Sequence, residues 1–153
     1  FNGRRWVNGM GVKQGFRTSE VARLTGLTKR QLDHWDRTGL FKPSLAPAEG
    51  RGSARFYSFL DVVQLRVVKQ LLDAGLSARK LRACLEFLRN NLKEENLAGA
   101  SLVASGGKAF LLTERPDFAV DLAKSGQLVW MVDIGATAQE IENEHRKLKN
   151  AAK

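Results

Sequence analysis

Residues 16–40 read FRTSEVARLTGLTKRQLDHWDRTGL, and this stretch decides the fold. It holds two short helical segments with a tight link between them. In 18–25, Thr18 is positioned to N-cap, Glu20 suits the positive first turn, and Val21, Ala22 and Leu24 supply an inner face. Gly26 ends that segment. In 28–38, Thr28 and Gln31 have the spacing of a capping box, and Leu27 and Leu32 the spacing of a hydrophobic staple. Leu32 and Trp35 point inward, which leaves Lys29, Arg30, Asp33, His34 and Arg37 largely outside. Gly39 stops the second helix and Leu40 returns to the core. Two such helices joined at Gly26-Leu27 form a helix-turn-helix pattern. The basic residues open the second helix, the end that enters a DNA major groove in such motifs.

Working outward, 41–57 contains Pro43, Pro47, Gly50 and Gly52, which exclude a helix. A basic looped hairpin fits there, as a wing beside the helix-turn-helix. Ser58 with Asp61 then predicts the cap of a third helix, with Val62, Leu65, Val68 and Leu71 or Leu72 inside and Gly75 at its end. Ser77 predicts the cap of a fourth helix through Leu81, Cys84, Leu85, Leu88 and Leu92, which keep a 3.6-residue period.

The character changes at Leu97-Ala98-Gly99. Residues 101–105, Gly106-Gly107 and 108–113 read as a β-hairpin. Pro116 opens a short helix over 117–124. Residues 128–132, LVWMV, read as a strand apolar on both faces and therefore covered on both. Thr137 and Glu140 predict a capping box for a last helix to about Lys149. The expected fold class is mainly α: a winged helix-turn-helix of four helices in 16–92, then a small α/β module in 97–153. Residues 1–15, rich in glycine and carrying Arg4, Arg5 and Lys13, read as a loose basic tail, with Met10 as a candidate start.

Composition narrows the function classes. The chain has 153 residues, 43% hydrophobic and 27% charged, which excludes collagenous and fully disordered classes. No apolar run approaches the ~20 residues of a membrane span. No signal-peptide pattern is visible, and the single cysteine, Cys84, forbids an internal disulfide; both fit a cytoplasmic protein without membrane association. The net charge is +9, and it is unevenly placed. Residues 1–91 hold 17 Lys+Arg and 7 Asp+Glu, whereas 92–153 hold 8 and 9. A polyanion-binding N-terminal module joined to a near-neutral one accounts for this asymmetry.

The run 16–44, followed by GRGSARFYSFLDVVQLRVVKQLLDAGLSARKLRACL from Gly50, resembles the MerR family of bacterial transcription regulators. The resemblance rests on TSEVARLTGLT, on Leu-x-x-Trp-x-x-x-Gly-Leu at 32–40, on Arg55-Phe56-Tyr57-Ser58 and on Leu71–Ser77. The family's Leu-Arg-Tyr-Tyr-Glu reads Leu32-Asp33-His34-Trp35-Asp36 here. Asp33 therefore replaces an arginine, and it is suited to accepting from a cytosine amino group or to positioning Arg30 or Arg37. The Asp-aromatic-Trp variant is similar to a subgroup common in actinobacteria that carries a small C-terminal α/β domain. The resemblance implies a homodimer on an inverted-repeat promoter site that bends and untwists the DNA. It also implies RNA polymerase as a partner and leaves room for an effector.

The expected DNA-facing set is Arg17, Ser19, Lys29, Arg30, His34, Arg37, Arg51, Ser53, Arg55 and Tyr57. Arg30 is suited to a bidentate guanine contact. Arg51, Ser53, Arg55 and Tyr57 suit phosphate contacts, with Arg55 as an internal buttress and Tyr57 as core being the alternatives. Phe110, Phe118, Trp130 and Met131 are either an effector pocket or core. Ala138, Ile141, His145 and Leu148 have the spacing of a short dimer seam. One cysteine and two distant histidines do not make a structural zinc or iron–sulfur site, so no cofactor and no metal are expected. No phosphate-cradling glycine loop or nucleophile–base pair points to an enzyme. An architectural DNA-binding protein without an effector and a protein-interaction adaptor are the competing classes.

Overall fold

The computed structural model describes residues 15–45, 55–75, 77–105, 108–112 and 129–151. Its first helix, α1 (Thr18–Thr25), begins one residue earlier than the Thr18 cap implied. Arg17 occupies the extended N-cap position, and its backbone N–H donates to Glu20 Oε1 at 3.2 Å. Gly26 closes the helix in the left-handed region (φ 84°), where a side chain would be strained. Helix α2 (Lys29–Arg37) has the expected reciprocal cap. Gln31 N donates to Thr28 Oγ1 at 3.0 Å, and Thr28 N donates to Gln31 Oε1 at 2.9 Å. Leu27, Leu32 and Trp35 are all buried, so the staple and the inner face exist. Phe41 is buried, while Leu40 only packs against the edge of the core.

Helix α3 (Phe59–Asp73) is the central element. Val62, Val63, Gln64, Leu65, Val67 and Val68 are all buried, so several sides of it are covered. Its Ser58–Asp61 capping box is present. Asp61 also accepts from Ser44 N and Ser44 Oγ and from Arg89 Nη1, which ties the segment after α2 and helix α4 (Ala78–Asn91) to one buried carboxylate. Ser77 sits at the cap of α4 but makes no side-chain cap bond. Leu81, Leu85, Leu88 and Leu92 form the buried stripe of α4. Gln64 Nε2 donates to the Leu88 and Leu92 carbonyls, satisfying a donor that would otherwise be stranded in the core.

A short 3₁₀ turn, Glu94–Asn96, leads to the sheet. Strands β1 (Ser101–Ser105), β2 (Lys108–Leu112) and β3 (Val129–Asp133) are antiparallel in the order β2-β1-β3. Val103 pairs with Phe110 of β2 on one side and with Met131 of β3 on the other. Leu102 belongs to the helical core. The expectation that both faces of the third strand are covered does not hold at Met131, which is 56% exposed. Among the described residues β3 stands at the edge of the sheet, where fewer neighbours flank a side chain.

The last helix, α5 (Ile134–Ala151), differs from the sequence reading in two ways. It starts at Ile134, because Asp133 supplies the cap: Asp133 Oδ1 accepts from Ala136 N at 3.0 Å. Thr137 lies inside the first turn, where its hydroxyl donates to the Asp133 carbonyl, and Glu140 pairs with Arg66, so the Thr137–Glu140 box is absent. The stripe Ala138, Ile141 and His145 is not a dimer seam. Ala138 and Ile141 are fully buried within the chain, His145 is nearly so, and Leu148 packs against the same core. Helix α5 lies against α3 and α1, and the apolar core runs without a break from Phe16 to Ile141 across the expected boundary at 92–97. The heptad-like spacing is therefore that of an ordinary buried helix face.

Candidate nucleic-acid interface

The site is built on the start of α2. The Thr28 cap turns the chain so that Lys29 and Arg30 occupy the first helical turn, where both are exposed. Neither makes an ion pair with any described residue. His34, one turn on, is also exposed. Uncommitted cations at a helix N-terminus oppose the helix dipole, an arrangement that gains nothing for the isolated fold. An anion placed there meets both the cations and the free N–H groups of the first turn. Arg17 and Ser19 are exposed at the start of α1, and the Arg17 guanidinium stands 5.6 Å from the Phe56 ring.

The rest of α2 is organised around two carboxylates. Asp33 accepts from Arg55 Nη2 at 2.6 Å and pairs with Arg37 Nε at 3.0 Å. The Arg55 hydrogen bond, opposed by partial burial and helped by Arg37, holds the Asp33 carboxyl below the usual carboxylate range. Asp36 is buried, accepts from Arg55 Nε at 2.5 Å and pairs with Lys42 Nζ at 3.3 Å. Burial works against the Arg55 charge, but the bonds to Asp36 and Asp33 outweigh it and raise its pKa. Arg55 thus buttresses the segment that leads into α3 against α2, with only 20% of its side chain exposed. Lys42 Nζ also donates to the Asp36 carbonyl at 3.0 Å. Asp36 and Lys42 were not singled out in the sequence. The signal was an Asp pair three apart on one helix face, within reach of a wing arginine.

Tyr57 requires a correction. It is fully buried and bridges Phe16 backbone to backbone, so it offers no atom to DNA. Burial first, and then the Asp36 charge, push its hydroxyl up to about 12, so it stays protonated. Arg51 and Ser53 lie outside the described residues, as do the rest of the expected wing tip, Phe118 and the helix expected over 117–124. Phe110 and Trp130 are described only as strand positions, and Met131 is exposed. Cys84 is half-buried, and burial pushes its thiol up to about 11, far from a reactive thiolate. Among the described residues no three His, Cys, Asp or Glu side chains come together to hold a metal. No described helix is long and apolar enough to cross a membrane.

Two capped short helices on a helical core, with uncommitted cations at the start of the second, define a helix-turn-helix protein. Residues 16–88 match the family described as MerR HTH family regulatory protein. Residues 16–88 thus form a helix-turn-helix domain of the MerR type. It is similar to an uncharacterized HTH-type transcriptional regulator of Mycobacterium bovis, 36% identical over 127 residues. That match covers 83% of this chain and 56% of the relative. Uncharacterized HTH-type transcriptional regulators of two Mycobacterium tuberculosis strains match to the same extent. The chain thus spans about half the length of the curated relatives it matches.

Proposed function

We propose that this protein is a DNA-binding transcription regulator that reads a promoter through the N-terminal turn of α2. The observation that carries the reading is the pair Lys29 and Arg30. They are exposed and without an ion pair among the described residues, on a helix whose other charges are engaged by Asp33 and Asp36. Arg30 donates to a guanine edge, Lys29 and His34 contact backbone or base edges, and Arg17 and Ser19 contact phosphates beside α1. Arg51 and Ser53 extend the backbone contact from the wing. The protein acts in the cytoplasm as a homodimer on an inverted repeat and distorts the DNA, which alters the path available to RNA polymerase. An effector, where there is one, acts through the module that follows residue 97. Because the expected α5 seam is buried within the chain, the dimer contact lies on another surface.

Selection of genomic fragments by the purified protein at low and moderate salt tests this. Enrichment of an inverted repeat near promoters, bound by two copies in sedimentation, is the expected result. Salt-sensitive recovery without a motif would replace the reading by an architectural one, and salt-insensitive failure to recover DNA would replace it by a protein adaptor.

A further inference from the structure

Helix α5 meets the start of α1 along a notch of about 250 Å³, lined by Ser19, Glu20 and Arg23 of α1 and by His145, Leu148 and Lys149 of α5. The fold leaves hydrogen-bonding capacity on three of these groups. Glu20 and Arg23 stand three positions apart on one helix, the spacing at which opposite charges pair. They do not pair with each other, and Arg23 is exposed without an ion pair among the described residues. The helix start engages Glu20 instead, through Oε1, which accepts from the Arg17 N–H at 3.2 Å. Its Oε2 makes no hydrogen bond with a described residue. His145 forms the inner wall, 9% exposed, with its ring edge-on to Phe16 at 4.8 Å. Its Nδ1 is buried and has no hydrogen-bond partner among the described residues, a rare condition for a polar atom inside a fold. Burial, with Lys149 adding to it, favours the neutral imidazole, which hydrogen-bonds without carrying charge. Lys149 already has an interaction of its own and is assigned no part. The notch is several times the ~30 Å³ share of one water, so one bridging water does not fill it.

We propose that the α1–α5 notch is a binding site for a small zwitterion of the α-amino-acid class with an uncharged polar side chain. The ammonium group donates to Glu20 Oε2, and the carboxylate accepts from the Arg23 guanidinium. The side chain lies along Leu148 with its polar end on His145 Nδ1, and the Ser19 hydroxyl adds a contact at the rim. An α-amino acid carries both charges on one carbon, which suits an acid and a base one helical turn apart. A ligand with only one of the charges leaves the other side chain without a partner. The buried nitrogen selects a side chain that hydrogen-bonds, since an apolar one strands it. The site joins α1 to the last helix, and so links the helix-turn-helix to the module that follows residue 97.

The test titrates L-serine, L-asparagine and L-glutamine singly into the full 153-residue chain by calorimetry, without DNA. The tightest binder is then compared with two relatives, the amine that lacks its carboxylate and the acid that lacks its amino group. Glu20→Gln keeps an acceptor for the Arg17 N–H and removes the negative charge. Arg23→Gln removes the positive charge, and His145→Phe keeps a ring against Phe16 without the nitrogen. Lys80→Gln on α4 is a control exposed cation outside the notch. Unfolding midpoints verify that each variant is folded. At least one of the three amino acids is expected to bind with a Kd below ~1 mM. Loss of either charge, from the ligand or from the protein, is expected to weaken that binding about tenfold or more. His145→Phe is expected to weaken it about fivefold, and Lys80→Gln to leave it unchanged. Absence of binding by all three at ~10 mM overturns the inference. A one-charge relative that binds as tightly as its parent overturns it too, and this comparison holds even if a variant fails to fold. So does a folded Arg23→Gln chain with unchanged affinity. None of these results bears on the α2 reading, because no DNA takes part.

Discussion

The two ends of α2 carry similar charges and use them in opposite ways. At the first turn, Lys29 and Arg30 are exposed and have no ion pair among the described residues. At the last turns, Arg37, Arg55 and Lys42 are all held by Asp33 and Asp36. A count of positive residues treats these groups alike. The structure separates cations left available for an anionic partner from cations that tie α2 to the segments following it in the chain. An ion pair within the fold lowers the net charge a polyanion meets, so only the first group adds to the electrostatic part of DNA binding.

Four experiments break or sharpen that contrast. The largest effect belongs to Asp36→Ala. It removes a buried carboxylate and leaves the mostly buried Arg55 with Asp33 alone, so stability should fall by about 3 kcal/mol in urea unfolding. A change within the noise of the midpoint would mean that the back of α2 is not a buttress. Arg30→Ala comes next. It should leave the unfolding midpoint in place, weaken binding to a selected site by about 1–3 kcal/mol and relax preference at one position of each half-site. Equal loss on random DNA would move Arg30 from base reading to backbone contact. Arg55→Ala follows, with a stability loss of about 2 kcal/mol and a salt slope on random DNA that changes by well under one. A loss of a full unit would return Arg55 to the phosphate contacts.

The smallest effect concerns acid. Burial first, then Lys149, lowers the His145 pKa below its ordinary 6.5, with Glu20 opposing. The unfolded chain therefore binds a proton that the folded chain refuses, and stability declines as pH falls from about 6.5 toward the folded value. His145→Gln should flatten that part of the stability–pH curve. An unchanged curve would assign the acid sensitivity elsewhere. Asp33 acts in a lower window: its depressed pKa makes its contribution present above about 3.8 and lost as pH falls through the folded value.

Much of the helical part was legible because its signals are local. Thr28 with Gln31 and Ser58 with Asp61 satisfy helix-end donors within four residues, so spacing alone reveals them. The stripe from Leu81 to Leu92 shows itself by period. Thr137 with Glu140 had the same spacing and misled, because Asp133 three residues before Ala136 captured the helix start first. The seam reading of α5 failed for a related reason. A 3-4 spacing says that a helix has an apolar face, and it says nothing of what covers that face. Arg55, left open between phosphate and buttress, needed the distance between two segments 19 positions apart in the chain.

The sequence by itself determined the two short helices of 16–40, their caps, the helices of 59–73 and 78–91, the strands of 101–112 and the excess of positive charge before residue 92. Each depends on hydrogen bonds or side-chain periods that close within a few residues. Only the tertiary structure decided which of those charges are spent inside the fold and that Tyr57 is core. It also placed the last helix on α1 and α3, with Lys149 beside Ser19 and Arg23. Those outcomes depend on which segments, distant in the chain, bury each other's apolar surface and meet each other's charges, and no local spacing carries that information.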